Sequence, residues 1–459
     1  MNWKERYTDR IRSAEDAVAV VKPGDLVSFG SNSPWMDPWN LTSALAKRAP
    51  ELHDVTIDIT FSLSAEWMLL APETENAWKC VTWFCLTPMG MDKLTARSRQ
   101  LELTPVSPFT MGPDLMGGPF REEALSTFMP TVLMTSCAPP DVNGQITFGA
   151  HLWAIRQLIN GVKEAGGTVI GEVNETFPIV PGGDNWISVD AFDYLVEGMP
   201  IDIGGLSQGL VAASSLEEEE IESVVCANIA ELVNDGDTIM LGGGRIPMKV
   251  SPFLEHKVDL GCHTELIVPL DLIRNGVVNN KRRNLVPGKT SCTGVSYLSK
   301  EDEELVDGNA SFDLRDMHVN NHPRYICQND NMVAINSPLE ITLFGEIGME
   351  RVGRRYFRGV GGQLEFVLGA LMSKNGRSIH GTLSTAKTPD GVVSRIVPQL
   401  TYPAVSSIPR QFVDFIVTEY GIASLMGKSE REKVEQLIAI AHPDFRPWLR
   451  EETKKLMLD

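Results

Sequence analysis

The sequence predicts an α/β protein built as two tandem, similar, open α/β domains, each with a mostly parallel sheet. Three observations predict it. Gly24-Asp25-Leu26-Val27-Ser28-Phe29-Gly30 in the first half is matched by Gly236-Asp237-Thr238-Ile239-Met240-Leu241-Gly242 in the second. The halves also close alike, Asp193-Tyr194-Leu195-Val196-Glu197 against Asp414-Phe415-Ile416-Val417-Thr418-Glu419. Within a half, β-branched runs alternate with amphipathic ones, the βαβ pattern of a parallel sheet.

Each element has its own signal. Residues 14–21 and 224–233 read as helices that precede the two matched strands, and each strand leads to a turn ending in Pro34 or Pro247. Residues 131–134 and 168–170 read as buried strands, with a helix over 153–165 between them. The boundary falls near 214–222, which gives domains 1–214 and 215–459. The run Glu217-Glu218-Glu219-Glu220 reads as a solvated linker or a helix start. The last expected helix, 430–441, stops before His442-Pro443, because proline disfavours helical geometry in the residue before it.

Composition narrows the function. Of 459 residues, 60 are acidic and 41 basic, a formal charge of −19, which argues against binding nucleic acid or an anionic membrane surface. The charged N-terminal stretch lacks an apolar signal core, and no run approaches the ~18 apolar residues of a membrane span. The seven cysteines form no C-x-x-C pair and read as reduced thiols of a cytoplasmic protein. The eight histidines are scattered along the chain, and no metal site is expected.

Three segments could carry chemistry. Gly261-Cys262-His263-Thr264-Glu265-Leu266-Ile267-Val268 sets a carboxylate in an apolar, strand-like run, and charged side chains are rarely buried without cause. The same pattern also fits an exposed glutamate at a strand end. Gly359-Val360-Gly361-Gly362-Gln363 offers bare backbone whose N–H groups could converge on an anion, or a plain turn before a helix. Gly242-Gly243-Gly244 is either a phosphate cradle or a strand-to-helix turn.

Their joint order resembles the acetyl-CoA hydrolase/transferase family, the class I CoA-transferases that include 4-hydroxybutyrate and butyrate:acetate CoA-transferases. The resemblance is densest from Gly236 to Leu449. It runs through Leu260-Gly261-Cys262-His263-Thr264-Glu265, Asn331-Met332-Val333-Ala334-Ile335-Asn336-Ser337, the Gly359–Gln363 loop, Thr418-Glu419-Tyr420-Gly421 and His442-Pro443-Asp444-Phe445-Arg446. Pro139-Pro140-Asp141-Val142-Asn143-Gly144 and Glu172-Val173-Asn174 extend it into the first half.

The resemblance implies a CoA-transferase fold and exchange of CoA between carboxylic acids. Glu265 would be the covalent nucleophile, passing through an acyl-glutamyl anhydride and a glutamyl-CoA thioester. Gly359, Gly361, Gly362 and Gln363 would form the oxyanion and CoA-binding loop. His263, Asn336 and Arg358 are candidate substrate or CoA contacts; His263 fits a packed, hydrogen-bonded role as well, and Arg358 departs from the small residue usual in the family before the glycine loop. Coenzyme A and acyl-CoA would be substrates, with no permanently bound cofactor and no metal. A homodimer or higher homo-oligomer is expected.

Basic clusters at Lys281-Arg282-Arg283, at Arg354-Arg355 with Arg358, and at Lys374 with Arg377 are candidates for the CoA phosphates or for solvated surface. A thioester hydrolase using the same glutamate, a non-catalytic ligand-sensing module and a sugar-phosphate isomerase are the competing readings. Large soft side chains of the first half, among them Trp35, Met36, Trp39, Trp67, Met68, Trp83, Phe84, Met89, Met91, Met111 and Met116, suggest an acyl pocket wider than acetate, or simply core.

Overall fold

In the computed structural model the chain forms two compact units. One comprises Met1–Val211 with Cys292–Val319, the other Ala212–Ser291 with Asn320–Asp459. The structure describes residues 2–30, 36–59, 62–74, 78–82, 93, 101–103, 129–200, 215–297 and 299–457.

The first unit is organised on a seven-stranded sheet. Its strands are β1 (Leu26–Phe29), β2 (Val55–Asp58), β3 (Trp78–Thr82), β4 (Leu101–Leu103), β5 (Val132–Cys137), β6 (Thr168–Val173) and β7 (Tyr194–Glu197), in the order β4-β3-β2-β1-β5-β6-β7. Every pairing is parallel. The helix expected over 153–165 is α1 (Ile155–Glu164), which packs on β5 and β6.

One stretch from the second half belongs to this unit. Leu152 and Trp153 donate their N–H groups to Thr293 O, and Leu314 N–H donates to Pro181 O. A linear division at residue 214 assigns this stretch to the second half, because an excursion of the chain leaves no mark on a repeat.

The second unit begins with α2 (Leu216–Glu231). The four glutamates lie in its first two turns, beside a capping box in which Ser215 and Glu218 satisfy each other's backbone N–H groups. Its sheet contains β8 (Thr238–Leu241), β9 (Gly261–Cys262), β10 (Met332–Asn336), β11 (Arg377–Gly381), β12 (Phe415–Thr418) and β13 (Gly421–Ser424), in the order β9-β8-β10-β11-β12-β13. All pairings are parallel except β12 with β13.

Side chains of β10 alternate. Val333 and Ile335 enter a core with Val225 and Ile229 of α2, whereas Met332 and Ala334 pack with Phe366 and Ala370 of α3 (Gln363–Met372) on the other face. A strand buried on both faces is the signature of a doubly covered parallel sheet. The helix expected last, α4 (Glu430–Ile440), is followed by another, α5 (Arg446–Leu456), whose Pro447 occupies the first turn, where the missing N–H costs nothing.

The sheet order reverses direction between β8 and β10. In open parallel sheets ligands settle outside the carboxyl ends of the strands at such a switch point. Gly242 and Gly244 lie there, just beyond β8. A Cβ on Gly242 would stand 2.7 Å from Asn336 Oδ1, and one on Gly244 2.8 Å from Ser337 Cβ. The glycines therefore let two adjacent strand ends approach, the structural reading of that segment. No helix among the described residues is long and apolar enough to cross a membrane.

Candidate active site

Glu265 follows β9 at the same carboxyl edge. The run 261–268 is not one strand, as its apolar pattern suggests. After Gly261–Cys262 the chain makes a single bridge at His263 and then bends. The cause is tertiary. Thr264 Oγ1 donates to Leu241 O at 3.1 Å, and Ile267 returns to form an antiparallel bridge with the same Leu241. Glu265 sits within this excursion, pinned on both sides to the end of β8.

The glutamate is 8% exposed. Asn321 Nδ2 donates to its Oε1 at 2.7 Å. Against the same oxygen lies Gly362: a Cβ there would stand 2.7 Å from Glu265 Oε1 and 2.8 Å from Asn321 Nδ2. Gly362 is the N-cap of α3, and Gly361 before it has φ +58°, a left-handed conformation that glycine adopts without penalty. The expected glycine loop and the expected glutamate are thus in contact, at a helix N-terminus whose dipole favours an anion.

Helix α3 is held there by packing. Phe366 and Ala370 are buried on Met240, Met332 and Ala334, and a Cβ on Gly369 would stand 2.4 Å from Ile326 Cγ2, so the helix lies close to its neighbour.

Burial pushes the Glu265 carboxyl up to about 7, the Asn321 hydrogen bond opposes the shift, and the charge of Glu365 adds to it. Glu365 is itself buried, in the first turn of α3. Glu265 therefore exchanges its proton near neutrality, where a solvated glutamate would stay ionised.

The remaining expected residues divide. Gly359 and Gln363 are buried on either side of the glycine pair, and the Gln363 Nε2 atom is buried without a hydrogen-bond partner. Asn336 ends β10 at the switch point, and its Nδ2 is likewise buried without a partner. These two are donors available for a ligand oxygen.

Arg358 donates to Ser337 O at 2.8 Å and to Met349 O at 3.2 Å, so it ties the glycine loop to the end of β10. His263 is 1% exposed and uses both ring nitrogens inside the fold, Nε2 with Asn320 O and Nδ1 with Asn329 Nδ2, each at 2.8 Å. Burial pulls its pKa down to about 3, so the ring is neutral. It is a bonded part of the scaffold and turns neither nitrogen to a substrate, which is the packed, hydrogen-bonded of its two expected roles.

Two of the basic candidates are also structural. Arg283 is 3% exposed and donates to Cys262 O at 2.9 Å and to Lys289 O. Arg377 pairs with Asp237 and donates to Leu232 O at 2.7 Å.

Of the soft side chains, Met36 and Met68 are buried in the first unit, whereas Trp67 is 69% exposed. Trp35, Trp83, Phe84, Met89, Met91, Met111 and Met116 lie outside the described residues. Among the described residues no group of three or more His, Cys, Asp or Glu could hold a metal ion.

Sequence reasoning missed Asn320, Asn321 and Asn329. The only signal was Asn320-Asn321-His322-Pro323, two amides before a helix-starting proline, which reads as capping.

A family model described as the acetyl-CoA hydrolase/transferase C-terminal domain matches residues 300–453. The chain is similar to 4-hydroxybutyrate coenzyme A transferase of Clostridium kluyveri, 33% identical over 99% of this chain and 100% of that one. It is similar also to succinyl-CoA:cyclohexane-1-carboxylate CoA transferase of Geobacter metallireducens, 31% identical over 99% of this chain and 97% of that one. The crystal structure of RipA from Yersinia pestis matches with a TM-score of 0.84 and 29% identity, covering 99% of each chain.

Proposed function

Because the chain belongs to the acetyl-CoA hydrolase/transferase family, we propose that it is an acyl-CoA:carboxylate CoA-transferase whose nucleophile is Glu265. The observation that carries the reading is a buried carboxylate set against the bare backbone of a helix N-terminus.

A Glu265 oxygen attacks the thioester carbonyl carbon. The C–S bond breaks, CoA leaves as its thiolate, and an acyl-glutamyl anhydride forms. The thiolate then attacks the glutamyl carbonyl carbon, the first acid leaves as a carboxylate, and a glutamyl-CoA thioester remains. A second carboxylate attacks that thioester, regenerating thiolate and a new anhydride. Attack of the thiolate on its acyl carbon releases the new acyl-CoA and restores Glu265. Each step trades one anion for another, so no proton has to move. A general base is not required, which agrees with a neutral His263 whose nitrogens are already bonded.

The raised pKa helps the first step. An ordinary glutamate at ~4.3 displacing a thiolate at ~8.5 faces a gap of roughly 4 units, about 6 kcal/mol at ~1.4 kcal/mol per unit. With the carboxyl near 7, the gap is roughly 1.5 units, or about 2 kcal/mol. Backbone N–H groups at Gly361 and Gly362 are the candidate oxyanion donors, and one such donor is typically worth about 3 to 4 kcal/mol. Binding energy from the rest of CoA supplies more.

The test is to follow acyl-CoA consumption with and without a second carboxylate. A transferase forms the new CoA ester and releases little free CoA when acetate or a longer acid is present. Release of free CoA at one rate, whether or not an acceptor is added, identifies a hydrolase instead.

A further inference from the structure

We infer that Asn336, Gln363 and His380 enclose a binding site for a single water molecule, which ties the first turn of α3 to the ends of two strands.

Placement brings the three side chains together. Helix α3 packs on both β10 and β11. Its far end is fixed at the start of β10, where Met332 N–H donates to Ser373 Oγ at 3.2 Å. The helical steps from Ser373 back to Gln363 cover about 15 Å, and the strand steps from Met332 on to Asn336 about 13 Å. Gln363 and Asn336 therefore reach the same carboxyl edge. Gln363 stands one turn before Phe366, which packs on Met332 and Ala334, so it lies on the buried face of the helix.

His380 is the register partner of Asn336 on the adjacent strand β11. Its neighbours in the chain face α2. Ile379 belongs to that core, and a Cβ on Gly381 would stand 2.5 Å from Ile229 Cδ1. Side chains alternate along a strand, so His380 turns to the α3 face, as Asn336 does after Ile335.

All three residues are buried, His380 completely. Asn336 Nδ2, Gln363 Nε2 and both His380 ring nitrogens have no hydrogen-bond partner. Unmet polar atoms in a protein interior are rare and costly, and so many at one edge of one sheet face call for an occupant.

The donors and acceptors select it. Two amide N–H groups ask for acceptors. Burial pulls the His380 pKa down to about 3, so the ring is neutral and brings one donor and one acceptor. The Phe415 backbone lies beside the ring, short of a hydrogen bond, and favours the N–H on its side. The accepting nitrogen is left for the occupant. A cation would meet two amide donors, and a carboxylate would bring no proton to the ring. Water offers a lone pair to each amide and a proton to the imidazole, the three partners usual for a buried water.

Gln363 directly follows Gly362, which lies against Glu265. The water therefore anchors the glycine loop to the sheet, and His380 is a positioning residue for that loop. This last consequence rests on the reading of Glu265 as nucleophile; the water site does not.

The test has two arms. A crystal structure of the wild type that resolves ordered water should show one water within about 3.2 Å of Asn336 Nδ2, Gln363 Nε2 and a His380 ring nitrogen. A dry site, a bound ion, or amides bonded straight to the ring overturns the inference. In the second arm His380→Leu removes the acceptor at similar volume and His380→Gln keeps one, with folding checked by circular dichroism. His380→Leu should lower the melting temperature by about 5 °C. Its kcat for acyl exchange should fall about tenfold, with KM for acyl-CoA within about twofold of wild type. His380→Gln should recover most of both losses. Wild-type kcat in His380→Leu, or an equal loss in His380→Gln, overturns the positioning role. Where His380→Leu does not fold, the wild-type density and His380→Gln decide. Exchange that persists in Glu265→Gln overturns the nucleophile and leaves the water site standing.

Discussion

Replacing Glu265 by Gln should change how stability depends on pH, apart from any effect on catalysis. The glutamate is 8% exposed and burial holds its carboxyl near 7 in the folded chain, against 4.5 for an ordinary glutamate. Between those values the folded state holds more protons than the unfolded state. Linkage then makes wild-type stability fall as pH rises, with the loss complete above about pH 7.

Glutamine keeps the oxygen that accepts from Asn321 but does not titrate. The difference in unfolding free energy, Glu265→Gln minus wild type, should therefore grow by about 2.5 kcal/mol from pH 5 to pH 8. For a folding unit of roughly 200 residues that is a relative melting-temperature change of about 5 °C or more. Paired thermal or urea melts at both pH values read it directly. Other titrations cancel in the difference, so the slope carries the test and the offset does not. Parallel profiles would refute the reasoning, because they would mean that Glu265 titrates as an ordinary solvated carboxylate.

The glycine pair separates backbone strain from crowding. Gly361→Ala at φ +58° should cost about 1 to 2 kcal/mol of stability, measured by denaturant melts. Gly362, at φ −91°, tolerates a side chain conformationally, yet its Cβ would stand 2.7 Å from Glu265 Oε1. Gly362→Ala should stay folded and lose exchange by at least about a hundredfold, the scale of misplacing a reacting group by an ångström. For the acyl group, kcat/KM should rise from acetyl-CoA toward larger apolar acyl-CoAs before it falls, since each buried CH₂ contributes about 0.8 kcal/mol. A steady decline from acetyl-CoA onward contradicts a wide pocket.

Much of the second unit was legible because its signals are local. Strand β8 lies between Gly236 and Gly242, and α4 opens at Ser429 with a capping box and ends before His442-Pro443. Helix α5 was missed because the stop at His442-Pro443 reads as the end of the last helix, although the chain starts another with Pro447 in its first turn, where proline is well tolerated. The excursion of Glu265 from the sheet was illegible, since it depends on Thr264 reaching Leu241, which is distant in sequence. The same is true of Cys292–Val319, which joins the first unit through contacts such as that of Thr293 with Leu152.

The site follows this division. Glu265, Gly361 and Gly362 were found by motif order and by the rarity of a carboxylate among apolar neighbours. Asn321 was not, because an asparagine beside a helix start reads as a cap, and only the folded chain brings it to Glu265. His263 drew attention as a functional side chain, yet its two hydrogen bonds make it part of the support beneath the glutamate.

The most direct test of the central claim is to trap the covalent intermediate. The enzyme is incubated with an acyl-CoA without acceptor, quenched, digested and mapped by mass spectrometry, with a parallel sample reduced by borohydride. The account predicts a CoA adduct on the peptide containing Glu265, reduced by borohydride at that side chain alone and discharged when a second carboxylate is added. An adduct on another residue, or rapid exchange with no adduct at Glu265, would contradict it.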